Sequence, residues 1–133
     1  MQLLDHISIT VKSIERVKPF YLAVMSALGA PLVSGKPDAL GFGERNRPDS
    51  DGHSYISVYE SPQASADPRR HWCFRADSVE QVCAFHAAGL ATGGTDGGAP
   101  GLRGYHPQYY AAFLFDPEGN KLEAVFHRAA ERA

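Results

Sequence analysis

The chain has 133 residues, and its 13 Lys plus Arg against 15 Asp plus Glu give a formal net charge of -2. This length suits a single domain over residues 1–133 with a substantial core, and the absence of a basic block argues against nucleic-acid or anionic-membrane partners. No run of about 18 apolar residues could span a bilayer and the N-terminal segment does not read as a signal peptide, so we expect a cytoplasmic protein.

The first sixty residues predict a strand, a helix and further strands. Residues 3–11 alternate between apolar and polar side chains, which is typical of a strand with one buried face. Ser13 can cap a helix that ends at Gly29. The helix carries apolar residues at helical spacing, namely Ile14, Val17, Phe20, Tyr21, Val24 and Leu28. Residues 31–52 are rich in turn residues and predict one short strand (LGFG), whereas residues 54–59 predict a clearer one.

A second strand and helix follow a linker at about residues 61–70. The sequence HWCFR predicts an alternating strand, and Ser78 with Gln81 three residues later predicts a capped helix that ends near Gly89. Cys73 falls in this strand and Cys83 in this helix, which favours two reduced core thiols over a disulfide.

The chain repeats itself at a shift of 65 residues. The shift superimposes identical residues at six of eighteen positions, where chance predicts about one. The pairs are His6 with His71, Ser13 with Ser78, Glu15 with Glu80, Val17 with Val82, Phe20 with Phe85 and Ala23 with Ala88. One residue out of register, the repeat also places Ser57 opposite Glu123. The repeat predicts two β-α-β-β-β modules, the first at about residues 1–60 and the second at about residues 71–127.

The segment at residues 91–110 carries six glycines and two prolines. This composition predicts either a mobile loop over a binding site or a plain linker. In the first case its contact residues are Arg103, Tyr105, His106 and Tyr109. The sequence DPEGN that follows predicts a turn, and hence a hairpin that joins residues 111–115 to residues 121–126.

Three residues in this pattern could carry chemistry. His6 and His71 lie on the polar faces of equivalent strands, and Glu123 is a carboxylate within an otherwise apolar strand. Two imidazoles and one carboxylate form the ligand set of an open divalent site for zinc, iron, manganese, cobalt or nickel. The alternative is that each is an ordinary polar residue of a strand.

The same residues carry a family resemblance. DHISITV with RVKPFYLAVMSALGA resembles the opening strand and helix of the vicinal oxygen chelate superfamily, and HWCF resembles its second histidine strand. YYAAFLFDPEGNKLEAV resembles its closing hairpin with a terminal metal-binding Glu. This superfamily includes glyoxalase I, fosfomycin-resistance proteins, extradiol dioxygenases and bleomycin-binding proteins. The resemblance implies an α+β fold in which two modules form a cupped eight-stranded mixed sheet with helices on its outer face, often completed across a homodimer.

For function, the resemblance implies a divalent metal ion held by His6, His71 and Glu123. The substrate would be a small molecule bound through vicinal oxygens, and the activity that of a lyase, isomerase, transferase or dioxygenase. Ser57 stands where glyoxalase I has a fourth, carboxylate ligand, which disfavours glyoxalase I activity. We expect Tyr109 and His106 to be catalytic, and Ser57, Tyr59, Arg103 and Tyr105 to contact substrate. The alternative function is metal-free sequestration of an antibiotic or other ligand.

Overall fold

A computed structural model of the chain describes residues 1, 3–45, 47–49 and 52–127. Eight strands and two helices follow in the order β-α-β-β-β, twice. The first module contains β1 (His6–Val11), α1 (Ile14–Ala27), β2 (Leu32–Lys36), β3 (Ala39–Gly43) and β4 (Tyr55–Glu60). The second contains β5 (His71–Arg75), α2 (Val79–Ala91), β6 (Thr95–Leu102), β7 (Tyr109–Phe115) and β8 (Lys121–His127). The predicted α+β fold of two repeated modules is thereby confirmed.

Each module folds into its own four-stranded mixed sheet. The strand orders are β1-β4-β3-β2 and β5-β8-β7-β6, so the two sheets are topologically equivalent. The first and last strands of each module pair in parallel, while the remaining pairs are antiparallel. In the described part of this single chain, the two sheets are not hydrogen-bonded into one eight-stranded sheet.

Both helices begin at the predicted serine caps. The side chain of Ser13 accepts a hydrogen bond from the backbone N–H of Arg16 at 3.2 Å, and that of Ser78 accepts one from Gln81 at 3.1 Å. These bonds satisfy N–H groups that a first helical turn leaves without partners. Gly29 follows α1 with φ of 76°, a left-handed conformation that glycine adopts without strain.

The main core lies between the helices and the sheets. The apolar stripe of α1 packs with residues of both modules, including Phe85 on α2 and Leu122 and Ala124 on β8. Helix α1 also contacts α2 directly. Because one helix face serves both modules, the two halves share a core on the helical side and leave the opposite sheet faces available for a site.

A carboxylate from the second module also fixes the start of α1. Glu118, in the turn between β7 and β8, accepts hydrogen bonds from the backbone N–H groups of Lys12 at 2.6 Å and Ser13 at 2.9 Å. Glu60 accepts a further one from Ile14 at 3.0 Å. Negative charge is favourable at a helix N-terminus, so both modules stabilise this end of α1.

Two expectations from the sequence need correction. Gly97, Gly98 and Gly101 of the glycine-rich segment lie on the strand β6, which pairs with β7 through a register that shifts twice. This part of the segment is therefore a strand rather than a loop, whereas Arg103, Tyr105 and His106 lie in the connection between β6 and β7. Cys73 and Cys83 are free thiols as expected, but both residues are solvent-exposed rather than part of the core.

Neither helix in the described ranges has the length and apolar content that a membrane span requires.

Candidate functional site

The strand registers confirm that Glu123 and Ser57 occupy equivalent places. In the second module Cys73, two residues after His71, lies opposite Glu123. In the first module Ser8, two residues after His6, lies opposite Ser57. Side chains two residues apart on a strand share a face, so each histidine lies on the same sheet face as its module's Ser57 or Glu123.

Glu123 is buried on the sheet face that is turned away from the helices. Its exposed fraction is 3%, while its neighbours Leu122 and Ala124 are fully buried in the main core on the other face. Oε1 of Glu123 lies 3.1 Å from Nε2 of His71, and its Oε2 accepts a hydrogen bond from the hydroxyl of Tyr109. His71 and Glu123, two of the three residues predicted to bind a metal, therefore lie in contact, and Tyr109 joins them.

Two neutral donors surround this carboxylate. Burial, and then the hydrogen bond to Glu123, raises the pKa of Tyr109 well above its ordinary value. Although Cys73 as a residue is exposed, burial of its thiol and the neighbouring charge of Glu123 raise its pKa to about 12. Both groups remain protonated at neutral pH, so they can donate protons at this site but cannot act as bases.

A cavity of about 460 Å³ opens beside the His71 and Glu123 pair. It brings together five of the predicted site residues, namely His71, Arg103, Tyr105, Tyr109 and Glu123. The side chain of His71 is 42% exposed, so its ring is accessible from the cavity. An imidazole nitrogen and a carboxylate oxygen at this separation are suitable donors for a divalent ion, and the pair therefore fits two-thirds of the predicted ligand set.

His6 does not line this cavity. It borders a second one, of about 430 Å³, where its Nδ1 lies 2.7 Å from Oδ1 of Asp5. Asp5 also hydrogen-bonds His53, and these two bonds, that to His6 first, lower the pKa of Asp5. Within the described ranges, no three His, Cys, Asp or Glu side chains are grouped closely enough to hold a metal. One chain thus brings His71 and Glu123 together and leaves His6 apart.

The remaining predicted residues lie outside the cavity lining. Ser57 is buried on β4 of the first module, and Tyr59 on the same strand is 47% exposed. His106 lies behind Tyr109, with ring centroids 5.4 Å apart. Nδ1 of His106 accepts from the backbone N–H of Gln108, so its Nε2–H donates to Nδ1 of His127 at 2.9 Å. Both nitrogens of His106 are therefore engaged, and its contact with the site is through the ring of Tyr109.

Besides Gly97 and Gly98, the cavity is lined by two residues that were not predicted from the sequence, Lys121 and Phe113. The predicted hairpin could have identified both residues as neighbours of Glu123, because its register sets Phe113 opposite Glu123 and Phe115 opposite Lys121. Lys121 then shares the face of Glu123 through the period of two. The partners of His53 and His86, which are Asp5 and Asp96, also had no signal in sequence spacing.

Comparison with known proteins agrees with this architecture. The sequence model described as Glyoxalase/Bleomycin resistance protein/Dioxygenase superfamily matches residues 3–124. A crystal structure of a glyoxalase/bleomycin resistance protein from Albidiferax ferrireducens T118 is similar, with 30% identity, 96% of this chain and 100% of that chain covered, and a TM-score of 0.78. No curated protein shows significant similarity to the chain.

Two further structures share the fold at lower identity. A glyoxalase/bleomycin resistance protein/dioxygenase family enzyme from Burkholderia phytofirmans PsJN is 22% identical, with 93% of this chain and 98% of that chain covered and a TM-score of 0.66. The genomically encoded fosfomycin resistance protein FosX from Listeria monocytogenes is 16% identical, with 96% and 95% covered and a TM-score of 0.66.

Proposed function

The chain belongs to the Glyoxalase/Bleomycin resistance protein/Dioxygenase superfamily, and from that membership and its His71–Glu123 pair we propose that it is a metal-dependent enzyme acting on a small molecule. His6, His71 and Glu123 would hold a divalent ion, and the ion would offer its open positions to two neighbouring oxygens of the substrate. The observation that carries the proposal is the buried carboxylate of Glu123, 3.1 Å from an accessible imidazole in a cavity of substrate size.

The ligand set is completed by a second copy of the chain in a homodimer. His71 and Glu123 of one copy bind the ion together with His6 of the other. Two features support this division: the side chain of His6 is 65% exposed, and it borders a different cavity from the other two ligands. The repeat gives each copy both halves of such a site, so a two-fold dimer forms two equivalent sites.

When bound, the ion supplies Lewis-acid stabilisation of negative charge that develops on substrate oxygens. Tyr109 is the proton donor of the site, because its hydroxyl is held protonated beside Glu123. The ring of His106 packs against Tyr109 and positions it. The ring of Tyr105 also contacts Tyr109, with ring centroids 4.9 Å apart, and it lines the cavity while 72% exposed, so it is accessible to substrate. Ser57, which occupies the position equivalent to Glu123, offers no carboxylate base.

Complementation between two inactive chains tests the proposal. His6→Ala and His71→Ala chains carrying different tags without histidine are co-expressed, and the mixed dimer is purified and reloaded with Zn²⁺ or Mn²⁺. We expect two ions per wild-type dimer and none for either variant alone. The mixed dimer should bind one, because one of its sites keeps all three ligands. His86→Gln, which removes an imidazole of α2 that is bonded to Asp96 and does not line the cavity, is the matched control and should bind as the wild type does.

The outcomes separate the parts of the proposal. A mixed dimer that binds no ion, while the wild type binds two, would show that each site is built within one chain. A wild type that retains no stoichiometric ion after reloading would exclude the metal-dependent enzyme and favour a metal-free ligand-binding protein. A panel of hemithioacetals, epoxides with thiols, and catechols then identifies the reaction.

A further inference from the structure

Two cations share one aromatic ring in the candidate cavity. Cζ of Arg103 lies 5.6 Å and Nζ of Lys121 lies 5.1 Å from the ring centroid of Phe113, and both side chains line the cavity beside His71 and Glu123. Phe113 itself is 9% exposed. The cations are thus held at an apolar surface where their charges are less screened than in open solvent.

Neither cation is neutralised by a carboxylate in the described ranges. The ion pairs found there all join a histidine to an acidic residue. Glu123, two residues from Lys121, is engaged by His71 and Tyr109 instead. The carboxylate that interacts with the charge of Arg103 is Asp96. The pKa of Asp96 is lowered most by its hydrogen bond with His86 and least by the charge of Arg103. Among the residues that the structure describes, no carboxylate therefore forms an ion pair with either of these two partly buried cations.

The backbone of β6 holds Arg103 in place. Its Nη2 donates to the carbonyl oxygen of Ala99 at 2.6 Å, and its Nη1 is 3.5 Å from that of Leu102. The guanidinium also packs closely against two glycines, where a larger residue would crowd it. A Cβ added at Gly98 would lie 3.2 Å from Nη2, and a Cβ added at Gly101 would lie 3.2 Å from Nη1. A guanidinium has five N–H donors, so three remain for a ligand. Because the group is already ordered, binding an anion there costs little conformational entropy.

We propose that Arg103 and Lys121 form an anion-binding subsite of the substrate cavity, and that the substrate carries a carboxylate or phosphate group. How far this anionic group lies from the metal-binding oxygens of the substrate depends on the metal site proposed above. Lys121 and Glu123 lie on the same face of β8 two residues apart, which separates their Cα atoms by roughly 7 Å. The substrate is therefore a compact, oxygen-rich anion in which only a few bonds separate the anionic group from the chelating oxygens.

Anion binding by metal-free protein tests this subsite without involving the ion. Protein stripped by a chelator is titrated with inorganic phosphate, acetate and neutral acetamide, and the amide resonances of Gly97 and Gly98 are followed by NMR. We expect phosphate or acetate to shift them saturably, and the tighter of the two identifies the anionic group. Arg103→Gln and Lys121→Met should each raise its Kd about fivefold or more. Lys36→Gln, which removes an exposed cation on β2, is the matched control and should change it less than about twofold.

Two results would overturn the subsite. One is a Kd that stays the same in Arg103→Gln and Lys121→Met, and the other is acetamide binding as tightly as acetate. Lys121→Met keeps the aliphatic stem over Phe113, and Lys121→Arg, which keeps the charge, should retain binding. Loss of metal loading with intact anion binding would reject the proposed metal enzyme alone, whereas intact metal loading without anion binding would reject the subsite alone.

Discussion

The hydroxyl of Tyr109 donates a hydrogen bond to Oε2 of Glu123, the carboxylate whose Oε1 lies 3.1 Å from Nε2 of His71. The buried acid thereby contacts side chains from β5 and β7, the strands on either side of its own strand β8. An unpaired buried carboxylate is costly, so these two contacts make the apolar strand β8 compatible with a charge at its centre.

Replacement of Tyr109 by Phe should weaken the metal-free fold. Glu123 would lose the hydrogen bond from the Tyr109 hydroxyl while it stays buried, and we expect the free energy of unfolding to fall by about 1–3 kcal/mol in urea titrations. Metal binding should persist, because the ligands are intact, and saturating ion should restore much of the lost stability by mass action.

Tyr105→Phe is the matched control for this prediction. Tyr105 is 72% exposed, so its hydroxyl should contribute less than about 0.5 kcal/mol. A Tyr109→Phe variant as stable as the wild type would mean that solvent, rather than Tyr109, satisfies Glu123. A variant that no longer binds the ion would place Tyr109 in the ligand set.

Replacement of Asp5 by Asn should weaken metal binding without unfolding the chain. Oδ1 of Asp5 lies 2.7 Å from Nδ1 of His6, and a carboxylate at that nitrogen leaves Nε2 of the ring free to bind an ion. Loss of such a supporting carboxylate typically lowers metal affinity about 10- to 100-fold. Competition with a chromogenic chelator measures the change.

Asp38→Asn, at an exposed site between β2 and β3, provides the charge-matched comparison. It should leave the affinity unchanged. Equal affinities for Asp5→Asn and the wild type would indicate that Asp5 does not orient His6, and that its bond to His53 has only a local structural role.

The sequence was most informative where one local period determines a structure. The strand at His6, the helix stripe after Ser13 and the hairpin before Glu123 follow from period two, period 3.6 and turn chemistry, and each was confirmed. The strand β6 could not be predicted in this way. Its glycines and Pro100 disfavour a strand by propensity, and it forms because β7 offers a partner across an irregular register.

The candidate site shows a similar division. The repeat marked His71 as the equivalent of His6 and Glu123 as the equivalent of Ser57, and the parallel pairing of β5 with β8 brings His71 and Glu123 together. The separation of His6 was not predictable, because a strand period assigns a residue to a face of its own sheet and carries no information on how two sheets are arranged. The close packing of the Arg103 guanidinium against Gly98 and Gly101 was likewise not predictable, because these glycines belong to a strand that was predicted as a loop or linker.

Tyr21 provides a test of the shared core that is independent of the metal. It is fully buried on α1, and its hydroxyl donates at 2.5 Å to Asp116, which is itself buried at the end of β7. Tyr21→Phe removes a hydrogen bond to a charged group between the modules. We expect the free energy of unfolding at pH 7 to fall by about 1.5–3 kcal/mol, with metal loading unchanged.

This deficit should shrink at alkaline pH. Burial, and then the charge of Asp116, raises the pKa of Tyr21 well above its ordinary value of 10.0. Above that value the unfolded chain loses the Tyr21 proton while the native chain keeps it, so wild-type stability falls with a slope of up to about 1.4 kcal/mol per pH unit from this group. Tyr21→Phe lacks this dependence, so the gap between the two proteins should narrow mainly above pH 10, by about 1.4 kcal/mol at pH 11.

Urea denaturation of the wild type and of Tyr21→Phe from pH 7 to pH 11 measures the difference in their free energies of unfolding. The titration of all other groups is common to both proteins and cancels in this difference. A gap between wild type and Tyr21→Phe that stays constant from pH 7 to pH 11 would show that the native chain does not hold Tyr21 protonated. The hydroxyl would then contribute only packing, and the tie between α1 and the β7–β8 turn would rest on Glu118 with the backbone N–H groups of Lys12 and Ser13.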